Sequence, residues 1–213
     1  MNMSSTSTPT PPPSRRSSPL QQALGPDWAK LPPALQAHHP DHPVVEHGHL
    51  DVEFPRGLQP ALWALAALGA LVSRRGRAVP TRVERWMEGN RQCWRRSLHF
   101  EDGHVARFDS TWECTGPGRL LEWVNPWLGL EMQVAVNGTT LEYHGLWFVL
   151  RLGRRQCHLP QWLGPGRTRI IERACGADGI EMDFRLVHPL FGTLFRYAGR
   201  FPTGHPTNRP DPD

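Results

Sequence analysis

The sequence has little of what marks the common enzyme classes. Its four cysteines, Cys93, Cys114, Cys157 and Cys175, are scattered singly. No CxxC pair is therefore available for a zinc knuckle or a thioredoxin-like redox centre, and reduced thiols in a cytoplasmic protein are expected. No apolar run follows the basic pair Arg15–Arg16, so the N-terminus does not read as a secretory signal. The most apolar stretch, Leu58 to Val72, is interrupted by Gln59 and Pro60 and is shorter than the ~17–25 residues of a membrane span; it reads as a buried helix. Nucleophile elbows of the GxSxG type, P-loops and a GxGxxG opening a helix after a strand are all missing, which argues against a hydrolase, an NTPase or a self-contained dehydrogenase and calls for no cofactor. The net charge is +4, but acids are interleaved with the arginines along the chain. That is a solvated surface, not a nucleic-acid stripe.

What is present divides into tails, helices and strands. Residues 1–19 are dominated by Ser, Thr and Pro and are expected to be disordered, as is a Pro-rich tail at 202–213. Between them, 20–201 is read as a single β-rich domain. Leu24, Trp28, Leu31 and Leu35 recur at near-helical spacing across 20–39, broken by Pro26 and Pro32–Pro33, which predicts two short helices. A first strand is expected at 47–54, and the apolar helix at 58–73, with Pro60 tolerated in its first turn. From Thr81 the period becomes two, and turn residues at Asp102–Gly103, Gly116–Pro117–Gly118, Asn137–Gly138 and Asp178–Gly179 punctuate the runs as hairpins. The expected architecture is α+β, mainly antiparallel β: a meander curled into a barrel or half-barrel with the N-terminal helices as a cap.

Matching apolar faces sets the expected registers. A two-residue turn at Asn137–Gly138 places Val136, Val134 and Met132 opposite Thr139, Leu141 and Tyr143, and pairs Glu131 with His144 outside. A three-residue loop, Glu101, Asp102 and Gly103, places Leu98 opposite Ala106 and Arg96 opposite Phe108. A similar loop at Ala177, Asp178 and Gly179 pairs Arg173 with Asp183, Ala174 with Met182 and Glu172 with Phe184. The inner face then carries Trp94, Trp112, Trp147, Phe108, Phe184 and Phe195, seeded with Arg96, Ser110, Tyr143, Glu172 and Tyr197.

An ionised arginine on an apolar face needs an acceptor, and Glu172 is the carboxylate this reading places there. Either the two form a structural ion pair, or the interior holds a small, largely apolar ligand. In the second case Arg96, Ser110, Glu172, Tyr197 and Tyr143 form the polar end and Trp94, Trp112 and Trp147 the wall. An interaction module, or an enzyme with Glu172 as general acid or base, are the alternatives. The histidines His38, His39, His42, His47 and His49, with Asp41 and Glu46, fall in a Pro-broken segment without helical ligand spacing, so they read as a solvated loop and no metal site is assigned.

The ordered series Leu31–Pro32 to His38, Trp94-x-Arg96-x-Leu98, Ser110, Glu122, Leu159–Pro160, Glu172, Asp183, Pro189, Gly192 and Tyr197-x-Gly199 resembles a bacterial domain-of-unknown-function family, number 4166. The likeness covers about residues 22–201, with Leu98 standing where the pattern has Phe. Members of that family occur alone or C-terminal to saccharopine-dehydrogenase-like NAD(P)-binding domains. The resemblance therefore implies a separate oxidoreductase as a possible partner, and carries no activity of its own.

Overall fold

The computed structural model describes residues 17–55, 57, 72–163 and 166–203. The expected tail over 1–16, the apolar helix over 58–71 and the end of the chain from 204 lie outside the described residues. Three short helical pieces come first: α1 (Pro19–Leu24), a 3₁₀ turn (Gly25–Lys30) and α2 (Pro33–His38). Ser18 starts α1 with a capping box. Its hydroxyl accepts from Gln21 N and its own N–H donates to Gln21 Oε1 at 2.8 Å, while Pro19 occupies the first helical position. The cap and first residue of α1 thus lie inside the stretch expected to be a tail.

Among the described residues eleven strands follow: β1 (Val44–Glu53), β2 (Gly76–Glu88), β3 (Arg91–His99), β4 (Val105–Gly116), β5 (Arg119–Trp123), β6 (Leu128–Asn137), β7 (Thr140–Leu152), β8 (Arg155–Pro160), β9 (Arg167–Ala174), β10 (Gly179–His188) and β11 (Gly192–Pro202). All the pairings are antiparallel, in the order β6-β5-β4-β3-β2-β1-β11-β10-β9-β7-β8, and a direct β6–β7 pairing closes the ring. Ten strands make the barrel; β8 is an extra strand on the far half of β7. Closure removes the exposed edges that an open sheet would present.

The helices close the end of the barrel where the β4–β5, β6–β7 and β9–β10 hairpins turn. Gly118 N donates to Ala23 O at 2.7 Å, and Leu20, Leu24, Leu31 and Leu35 are buried in the core. At the β1–β11 seam the strands come so close that a Cβ on Gly199 would lie 1.9 Å from the His49 carbonyl oxygen. Only glycine fits there. No helix among the described residues is long and apolar enough to cross a membrane.

The β3–β4 hairpin has the expected register, with Leu98 opposite Ala106 and Arg96 opposite Phe108, and Gly103 in the left-handed region (φ 80°). Two others slide by two residues, which preserves which face points inward. In β6–β7 the loop is Gly138–Thr139, with Gly138 (φ 60°) in the first loop position, so Val136 faces Leu141 and Val134 faces Tyr143. The expected Glu131–His144 pair is not formed: His144 lies opposite Gln133 and contacts Glu142 at 3.2 Å. In β9–β10 the loop starts at Gly176 (φ 73°), Glu172 faces Met182, and Arg173 faces Glu181 instead of Asp183. Asp183 is engaged on the outside by Arg185 and Arg196.

One inward placement also fails. A β-bulge opposite Glu131 and Met132 puts an extra residue into β7, so Glu131 faces Trp147 while Met132 faces Gly145. Beyond it the inward phase switches: Phe148 packs on the core, Val149 joins Leu121 and Trp123 in a small outer cluster, and Trp147 turns outward with 40% of its surface exposed. Trp147 is therefore not part of the interior wall.

Candidate functional site

Alternation along β3 points Trp94, Arg96 and Leu98 inward, and β4 adds Phe108, Ser110 and Trp112. Trp94 and Trp112 stack with centroids 4.7 Å apart. The Arg96 guanidinium lies over Trp94 and Phe108 at 4.7 and 4.5 Å, donates to Ser110 Oγ at 2.9 Å, and approaches Glu122 at 3.6 Å. Its carboxylate partner is thus Glu122 on β5, not Glu172. The sequence offered a signal for this, since Glu122 sits between outward-facing Leu121 and Trp123.

Glu172 on β9 serves a different cluster. Its Oε2 lies 2.6 Å from His39 Nε2, and the Tyr143 hydroxyl sits 3.4 Å from both atoms. Beside it, His38 Nδ1 lies 2.7 Å from Glu46 Oε2, and Arg85 Nη2 is 2.6 Å from the same oxygen. Arg85 also donates to the His38 carbonyl oxygen, and its guanidinium lies 4.8 Å over Trp94. The two histidine rings meet edge to face at 4.8 Å.

The expectation that this histidine segment is a solvated loop is overturned for two of its members. α2 ends at His38 and delivers it and His39 into the barrel mouth, where they are 3% and 0% exposed; His42, His47 and His49 remain outside. Two missed participants were within reach of alternation. Val79, Thr81 and Val83 lead to Arg85 at the same spacing, and Leu50 and Gly48 lead back to Glu46.

The electrostatics follow from burial and pairing. Burial, reinforced by the Arg85 cation, lowers the His38 imidazole from 6.5 to about 4, against the pull of Glu46. Burial alone would raise the Glu46 and Glu172 carboxyls. Their contacts, led by His38 for Glu46 and by His39 for Glu172, prevail and hold both below the ordinary carboxylate value. Glu172 therefore carries no proton near neutrality and is ill suited to act as a general acid. Burial, then Glu172, pushes the Tyr143 phenol well up, so Tyr143 stays a donor.

Between the two clusters lies a cavity of about 30 Å³, whose lining includes His38, Trp94, Arg96, Glu122, Glu172 and Tyr197. That volume holds one or two water molecules, well short of the ~300 Å³ or more of a typical small-molecule pocket. The indole nitrogens of Trp94 and Trp112 are buried without an acceptor. Around the chamber Phe108, Met182 and Tyr197 face inward yet remain only partly buried, and Tyr197 stacks on Phe184 at 4.5 Å. Of the residues expected to form the site, Trp94, Arg96, Ser110, Trp112, Tyr143, Glu172 and Tyr197 all meet inside, and Trp147 alone does not.

No curated protein and no solved structure matches the chain. A family model described as a domain of unknown function (DUF4166) matches residues 31–201. Six residues of the ordered series that carries the resemblance, His38, Trp94, Arg96, Glu122, Glu172 and Tyr197, converge on this one cavity, and on that match the chain belongs to the DUF4166 family.

Proposed function

We propose that the barrel interior is a binding site for a small molecule with an oxygen acceptor at one end, received at Arg96, and an apolar body laid along Phe108, Met182 and Tyr197. The observation that carries this reading is the composition of the inner wall. Arg85, Arg96, Glu46, Glu122 and Glu172 are all less than a tenth exposed. Each buried ion carries a desolvation penalty of several kcal/mol, and well-packed apolar residues would support a barrel at least as well. A chamber edged by unpartnered indole N–H groups and a loosely paired guanidinium has donors to spare, which suits a carbonyl or carboxylate oxygen. As it stands the chamber admits only such a head group, so the body has to follow the half-buried inward aromatics.

Titrating the full chain with straight-chain carboxylates from acetate to decanoate, followed by calorimetry, tests this. Affinity should rise with chain length by up to about fourfold per methylene, the ~0.8 kcal/mol of a buried CH₂, and should drop at least tenfold in a folded Arg96→Ala variant. Affinity that is flat with chain length and indifferent to Arg96→Ala would contradict the reading.

A further inference from the structure

The paired histidines at the capped end carry a second inference, argued from donor geometry and not from the ligand proposed for Arg96, although His38 and Glu172 line the same cavity. His38, His39 and Glu172 each offer a donor atom, all three residues are buried, and the donor atoms lie within 4.8 Å of one another. What surrounds them has the form of a supporting shell. Glu46 Oε2 lies 2.7 Å from His38 Nδ1 as an ion-pair contact without hydrogen-bond geometry, and its charge favours the proton on Nδ1, which leaves the lone pair on Nε2. A carboxylate behind the far nitrogen is how metal-ligating histidines are oriented. Glu46 is itself held by Arg85, which also donates to the His38 backbone carbonyl. His39 has one nitrogen on Glu172 and its Nδ1 buried without a partner.

We propose that His38, His39 and Glu172 form a binding site for a divalent transition-metal ion of the zinc class, with the Tyr143 hydroxyl beside the remaining coordination position. Two imidazoles and one carboxylate are a donor set this class accepts. With metal–ligand distances of about 2.0–2.1 Å, donors sharing a tetrahedral ion stand about 3.3 Å apart. On binding, the 2.6 Å His39–Glu172 contact opens and the 4.8 Å spread closes, both by side-chain movement. The charges suit an ion as well. Arg85 is paired with Glu46 and Arg96 approaches Glu122, which leaves Glu172 as the carboxylate of the cluster without an arginine partner. A cleft of about 470 Å³ outside the cap, lined by Gln36, Pro40, Asp41, His42 and Glu46 among others, meets the cluster's supporting residues at Glu46.

The test uses metal alone, so its outcome is separate from that of the carboxylate titration. Chelator-treated full-length protein is titrated with Co(II), reading the visible bands of low-coordinate cobalt, and the bound ion is then displaced with Zn(II). The inference expects a single saturable ion per chain. It also expects loss of the bands in His39→Ala, affinity weakened about 10–100-fold in Glu46→Gln, and no change when exposed His42, His47 and His49 are all replaced by alanine. If His39→Ala does not fold, the Glu46→Gln and triple-alanine arms still decide. Wild type that retains no cobalt or zinc, or binding that vanishes in the triple-alanine variant and survives Glu46→Gln unaltered, would overturn it.

Discussion

The two ends of the inner wall solve the problem of buried charge differently. At the capped end, every ionic group touches another: Arg85 meets Glu46, Glu46 meets His38, and Glu172 meets His39 and Tyr143. At the Arg96 end the pairing is looser, with Glu122 at 3.6 Å and a serine hydroxyl as the close partner, beside a cavity and half-buried aromatics. A closed network mainly holds structure in place, whereas a loose one leaves interaction capacity for something else. In the metal-free protein, substitutions should therefore cost stability at the first end and carboxylate binding at the second.

The largest effect is expected from Arg85→Ala. It strips Glu46 of its cation and the His38 carbonyl of its donor in a fully buried setting, and should destabilise the fold by about 3–5 kcal/mol in urea unfolding. A loss under ~1 kcal/mol would show that the network is not closed. Next comes pH. The His38 pKa is depressed from 6.5 to about 4 in the folded protein, so the unfolded chain binds the extra proton first. The stability His38 contributes is present above pH 6.5 and is lost as pH falls toward 4, amounting to roughly 3 kcal/mol in the metal-free protein. The same slope should persist in Arg96→Ala and vanish in a folded His38→Gln, as measured by chemical unfolding across that window. A slope abolished by Arg96→Ala would merge the two ends into one system.

Arg96→Ala itself should destabilise by only about 1–2 kcal/mol, because Glu122 borders the cavity where water can reach it. Smallest of all, Trp147→Ala on the outer face should change stability by less than about 1 kcal/mol in thermal unfolding and leave carboxylate affinity untouched. A large loss of binding there would restore Trp147 to the interior wall.

The same contrast explains what could be read from the residues beforehand. Along β3 and β4 the alternation is uninterrupted and the turn at Gly103 is a glycine-closed three-residue loop, so Trp94, Arg96, Ser110 and Trp112 were legible as inward. Slips of two residues at Gly138 and Gly176 altered partners without altering faces, so Tyr143 and Glu172 survived as inward residues. Trp147 did not survive, since a single bulge inverts the phase of everything after it and leaves no mark in a period-two pattern. His38 and His39 were hidden for another reason. Pro40 and Pro43 make the segment look like a solvated loop, and only tertiary packing of a six-residue helix against the barrel end buries it.

The most direct test of the central claim, that the loosely paired ions at the Arg96 end serve binding and not the fold, is to replace that pair by apolar residues of similar size. The thermal midpoint and decanoate affinity of Arg96→Met/Glu122→Leu would be measured together. A midpoint equal to or above that of the unsubstituted protein, with affinity lost, is the predicted result. A midpoint that falls sharply while decanoate still binds would contradict it.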